Sequence, residues 1–136
     1  MADTAPEPRW VSRLVIEAVH ADMLLTHGGL PGLRDATILE SALARPRQRH
    51  AHDPSAELAD LAASYAFGIV RDHPFNDGNK RVGFVALAVF LGLNDLELEA
   101  SESEVVETLV ALSSGAIDES ALAGWVREHT SRGARP

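Results

Sequence analysis

With 136 residues the chain has room for one domain around a single real core, and its 46% hydrophobic and 24% charged residues are ordinary for a globular protein. The absence of cysteine excludes disulfides and thiolate metal sites, and no apolar run reaches the roughly 18 residues that a membrane span needs. A net charge of −8 argues against nucleic-acid binding over the whole surface, and an N-terminus with acidic Asp3 and Glu7 is not a secretory signal, so a cytoplasmic protein is expected.

In chain order the pattern is almost all helical. Residues 1–9 read as a disordered lead. From Trp10 to about Thr26 the apolar residues Val11, Leu14, Val15, Ala18, Val19 and Leu25 suggest a helical stripe. The cluster Gly28-Gly29-Leu30-Pro31-Gly32 is a loop, and Asp35 is placed to cap a short helix carrying Ile38, Leu39, Ala42 and Leu43, which Pro46 ends. Residues 45–54, with Arg45, Arg47, Arg49, His50 and His52, are basic and without period, and read as an exposed loop or short hairpin. Two histidines with only Asp53 nearby are a weak metal signal. Ser55 is the expected cap of a helix bearing Leu58, Leu61, Ala62, Tyr65 and Ile69. A further helix over 79–93 is apolar all round, hence central and buried, and stops at Gly92 or Asn94. Ser101 with Glu104 forms a capping box for the next helix, Gly115 ends it, and Asp118 caps the last, with Leu122, Trp125 and Val126. Residues 131–136 read as a frayed tail. Trp10 and Trp125 are packing material, and His20 and His27 are surface or core residues. There is no internal repeat and no second domain.

The chemistry concentrates in His73-Pro74-Phe75-Asn76-Asp77-Gly78-Asn79-Lys80-Arg81. A polar, glycine-bearing loop that feeds a helix is a phosphate cradle, since main-chain N–H groups and the helix dipole face an anion there. His73 is the side chain whose charge changes near neutral pH, the natural general base. Asp77 is a hard oxygen ligand suited to Mg²⁺. Gly78 permits close approach of the backbone, Asn79 has an amide to donate, and Lys80 and Arg81 offset phosphate charge. Phe75 is expected to point inward as an anchor. Asp-Gly is also a common turn dipeptide, so the spacing alone leaves a plain turn open.

The nine residues agree at every position with the signature H-x-F-x-[D/E]-[A/G]-N-[K/G]-R, and the chain resembles the Fic/Doc family, nearest to its Doc (death-on-curing) toxins. Gly32–Asp35, Leu39–Leu43 with Arg45-Pro46, and Leu61–Tyr65 extend the resemblance over roughly residues 10–130. It implies an all-α Fic fold, a bundle of about six helices around the buried helix that follows the motif, with a short flap or hairpin. It also implies His73 as base, Asp77 as Mg²⁺ ligand, Gly78, Asn79, Lys80 and Arg81 as the phosphate-binding loop, and Arg45, Arg47, Arg49, His50 and His52 as a target-docking flap.

Adenylylating members of the family carry Gly where this chain has Lys80 and a second Arg where it has Phe84, whereas Gly78 fits the adenylylating pattern. The resemblance therefore implies a toxin that phosphorylates a Ser or Thr hydroxyl of a cytoplasmic protein from ATP with Mg²⁺, with elongation factor Tu as target. AMP transfer is the alternative, and a non-catalytic Fic-fold binding module the reading of another class. The inhibitory motif [S/T]-x-x-x-E-[G/N] is not evident, which points to restraint by a separate Phd-like antitoxin.

Overall fold

The computed structural model describes residues 7–133. Six helices follow one another: α1 (Arg13–His27), α2 (Ala36–His52), α3 (Leu58–Asp72), α4 (Asn79–Leu93), α5 (Glu102–Ser114) and α6 (Glu119–Glu128). Two short strands, β1 (Leu96–Leu98) and β2 (Thr130–Arg132), pair antiparallel with Glu97 opposite Ser131. The fold is the expected all-α one. Among the described residues no helix is long and apolar enough to cross a membrane.

The centre is a pair of helices. α3 buries Leu61, Ala62, Ala63, Tyr65, Ala66, Ile69 and Val70 and packs on α2, α4, α5 and α6. α4 buries Val82, Ala86, Leu87, Phe90 and Leu91, while Phe84, Val85 and Val89 are half-buried. Small residues let the pair close. A Cβ at Gly83 would stand 2.6 Å from Val70 Cγ2, and one at Gly68 would stand 3.2 Å from Ala42 Cα.

Caps at both ends agree with the expectations at Asp35, Ser101 and Asp118, whose side chains accept first-turn N–H groups, and at Asn94 and Gly115. Ser55 is not the cap of α3. Its hydroxyl and N–H turn back to Asp53. The capping box is made by Glu57 and Asp60 instead.

Three other expectations are overturned. Pro46 does not end α2 but lies buried inside it, and residues 45–52 are helical, not a loop or hairpin. A proline in a helix interior costs on the order of 3 kcal/mol. Here the ring itself joins Leu39, Ala42 and Leu43 in the face buried against α3, and Arg45 and Arg49 tie the second half of α2 to Glu119 of α6. The α1 stripe is also displaced. Its inward face is Ile16 and His20 with Met23, whereas Leu14 is 78% and Leu25 88% exposed. Finally, residues 131 and 132 are not frayed, since they belong to β2, and Gly133 N–H donates to Asp95 O at 2.8 Å. Within the lead, Arg9 exchanges two hydrogen bonds with Asn94. The remainder of the expected lead and tail, residues 1–6 and 134–136, lies outside the described residues.

Candidate active site

The motif loop joins the two central helices, and two left-handed residues bracket it. α3 ends on His73 at φ 54°, ψ 64°, and α4 begins from Gly78 at φ 79°, ψ 13°. Glycine meets that requirement without a Cβ penalty. A side chain that carries chemistry in this region is a mark of a functional constraint.

The connection from α1 to α2 holds the loop from one side. Leu33 bridges Phe75 in antiparallel fashion. Arg34 and Asp35 N–H both donate to Pro74 O, at 2.7 and 3.1 Å, and Asn76 N–H donates to Gly32 O. Arg34 then clamps the end of α3 with its guanidinium, Nε donating to His73 O and Nη2 to Asp72 O, each at 2.7 Å. A cation on the last carbonyls of a helix is favourably placed in its dipole. Arg34 lies in the stretch Gly32–Asp35 that carries the family resemblance, but nothing in that segment suggests partners 38 and 39 residues away.

From beneath, His20 of α1 supports the loop. Its ring is 5% exposed, stacks on Phe75 with centroids 4.0 Å apart, and meets Asp77 O through Nε2 at 3.0 Å. A carbonyl only accepts, so Nε2 carries the proton. Phe75, 2% exposed, is the inward anchor expected of it. Of the two places expected for His20, surface or core, the structure shows the core, where the ring fixes the Asp77 peptide.

The loop opens on a cleft of about 620 Å³. His73, Asp77, Gly78, Asn79, Lys80 and Arg81 all line it, as does Arg34. The opposite wall is apolar, formed by Val106, Leu109 and Val110 of α5 with Ser113. Asp77 is exposed; its Oδ1 accepts Gly78 N–H at 3.0 Å and its Oδ2 accepts Leu30 N–H at 3.3 Å. Asn79 differs from expectation. Its side chain is buried and closes a two-way bond with the Phe75 main chain, accepting from N and donating to O, both at 3.0 Å. Its amide braces the loop, and only its main-chain N–H remains for an anion.

Lys80 and Arg81 are exposed, and among the described residues neither has a carboxylate partner. Cations in a first helical turn oppose the dipole. The N–H groups of Asn79, Lys80 and Arg81 belong to that turn and have no intrahelical acceptor. Cations and first-turn donors therefore converge on a cleft whose lining holds a single carboxylate, Asp77.

The basic residues of α2 are elsewhere. Arg45 Nε donates to Glu119 at 3.1 Å, and Arg49 pairs with Glu119 and Asp60. Arg47 lies over the Trp10 ring at 5.4 Å and His50 meets it edge-on at 5.8 Å. His52 is the exposed last residue of α2. None of the five lines the cleft, so the structure does not bring them to the site as a flap. No group of three or more His, Asp or Glu side chains able to hold a metal ion occurs among the described residues.

Comparison with known proteins gives a consistent result. The model of the Fic/DOC family matches residues 10–91, which include the entire motif and both central helices up to Leu91. The protein kinase doc of Escherichia phage P1 is 30% identical over 119 residues, covering 88% of this chain and 94% of that protein. The toxin Doc of Mycolicibacterium smegmatis is 35% identical over 77 residues, covering 56% of this chain and 59% of the relative.

Proposed function

The chain belongs to the Fic/DOC family, and from that premise we propose that it is a Doc-like toxin transferring a phosphoryl group from ATP to a Ser or Thr hydroxyl of another protein. One observation carries the reading. Lys80 and Arg81, which have no carboxylate partner among the described residues, and the first-turn N–H groups of α4 face the same cleft as His73 and Asp77. That is an anion site beside a base, the combination phosphoryl transfer requires.

In this reading His73 takes the proton of the acceptor hydroxyl as its oxygen bonds to the γ-phosphorus. The bond from that phosphorus to the bridging oxygen breaks, and ADP leaves with the electron pair. Arg34 holds the base in its left-handed conformation through the carbonyls of Asp72 and His73. Arg81 and Lys80 balance the polyphosphate charge. Mg²⁺ suits the donor set, because it takes one or two carboxylates plus substrate phosphates in preference to an all-protein cage. Asp77 is the single exposed carboxylate in the cleft lining, and it would hold the ion. The ion's contribution when bound is to offset charge on the phosphate oxygens.

Elongation factor Tu is the proposed acceptor, with arrest of translation in the cytoplasm as the effect, and a Phd-like antitoxin the proposed restraint. Val106 and Val110 are each about half exposed on the α5 wall, a surface that suits a disordered tail folding as an amphipathic helix. AMP transfer is the second reading, favoured by Gly78 and opposed by Lys80 and Phe84.

The test is to incubate the protein with a bacterial lysate and ATP labelled at the α- or the γ-phosphate. Label from the γ position, with a mass gain of roughly 80 Da for one phosphate, is the expected outcome. Label from the α position would move the assignment to AMP transfer, and no label from either would leave a binding module.

A further inference from the structure

A second cleft, of about 680 Å³, opens on the other side of His73. Its walls are the start of α2, with Thr37, Ile38 and Ser41, and the end of α3, with Arg71 and Asp72. Only Arg34 and His73 line both clefts. In phosphoryl transfer the attacking and leaving oxygens lie on opposite sides of the phosphorus, and the base must touch the attacking one. A base shared by two clefts is therefore placed for nucleotide on one side and acceptor on the other.

The chemistry of the walls divides the same way. The first cleft has free helix N–H groups, Lys80 and Arg81, which suit a polyphosphate. At the head of α2 the corresponding donors are closed, because Asp35 Oδ1 accepts Thr37 N–H at 2.9 Å and Ile38 N–H at 3.3 Å. What the second cleft presents is the exposed hydroxyl residues Thr37 and Ser41, half-buried Ile38, exposed Asp72, and the exposed Arg71, whose guanidinium lies 5.5 Å from the Phe67 ring and has no carboxylate partner among the described residues. Hydroxyls, one apolar contact and a cation for main-chain carbonyls suit an extended polypeptide.

Resting on the phosphoryl-transfer reading, we propose that the acceptor enters through this second cleft, as an extended segment of another protein that lays its Ser or Thr hydroxyl against His73 across the head of α2. Ser41→Trp and Thr37→Trp, both at exposed positions of α2, fill the cleft and leave every residue of the motif loop unchanged. Measured on the full chain, ATP affinity should stay within about twofold of the parent, while transfer of γ-label to lysate proteins falls at least about tenfold, the scale of a misplaced reactant. Arg71→Glu should lower labelling as well, with only a small fall in the thermal midpoint as a favourable cation leaves the last turn of α3. Labelling at the parent level by both Trp variants overturns the assignment alone. Loss of ATP affinity in a Trp variant that melts like the parent also overturns it, because the second cleft would then hold nucleotide. Absence of labelling by the parent overturns the phosphoryl-transfer reading and this assignment with it.

Discussion

Two stretches of this chain look alike as text and behave in opposite ways. Residues 45–52 and residues 73–81 each mix histidine with arginine, carry a proline, and lack a clean apolar period. The first is helix, its proline is buried, and Arg45 and Arg49 are held by Glu119. The second runs through a loop between two left-handed residues into the first turn of α4, and among the described residues Lys80 and Arg81 have no carboxylate partner. A basic cluster marks a binding site when its charges are left unanswered, and that is a property of pairing in space, not of local composition.

The comparison breaks first on the base. His73→Ala should lower transfer by about 10²–10⁴ with the fold intact, whereas His50→Ala should leave transfer unchanged. Transfer by His73→Ala at the parent rate would remove the loop from the chemistry. Next comes the clamp. Arg34→Ala should reduce kcat on the order of tenfold to a hundredfold by releasing the His73 backbone, with Arg34→Lys intermediate because it loses the two-pronged grip. A change confined to KM for ATP would contradict a positioning role.

A crossed pair sharpens the contrast further. Lys80→Ala should raise stability by about 0.3–1 kcal/mol, as a cation leaves a helix N-terminus, and weaken ATP binding. Arg45→Ala should lower stability by up to about 1 kcal/mol, an exposed pair being worth little, and leave ATP binding alone. Denaturant titration and ATP titration of both variants check the four signs.

The smallest effect concerns a third histidine that is wholly structural. His129 donates Nδ1 to Trp125 O at 2.7 Å and Nε2 to Glu104 at 3.0 Å. The Trp125 carbonyl, then Glu104, hold its pKa above the ordinary 6.5. The Ser101 main chain and hydroxyl, then His129, hold Glu104 below its ordinary 4.5. The His129 contribution is complete below pH 6.5 and is lost as pH rises through its raised folded value. The Glu104 contribution is complete above pH 4.5 and is lost as pH falls through its lowered folded value. The thermal midpoint of the parent over His129→Gln should therefore differ most between about pH 4.5 and 6.5 and converge in alkali. A constant difference across pH would mean that packing on Trp125, not charge, is what His129 supplies.

Much of this was legible beforehand. Caps at Asp35, Ser101 and Asp118, the inward Phe75 and the gathering of His73, Asp77, Gly78, Lys80 and Arg81 follow from local rules and one dense motif. What escaped depends on partners distant in sequence. Pro46 is tolerated because of α3 and α6, Arg34 acts on carbonyls at the far end of α3, and Asn79 is diverted inward by Phe75. The α1 stripe failed for a related reason. Leu14 and Leu25 obey helical spacing, but Ile16 and His20 face the core, and only the docked neighbours decide between two apolar sides of one helix.

Gly83 gives the molecule a calliper. His73 terminates one central helix and the first turn with Lys80 and Arg81 begins the other, so the gap between these jaws is metered by how closely the two helices lie. That closeness is fixed by a missing methyl, where a Cβ would stand 2.6 Å from Val70. The spacing of the site is thereby open to adjustment from its interior. A slightly larger residue at this one buried point would part the jaws and blunt the activity while every side chain of the site remained in place.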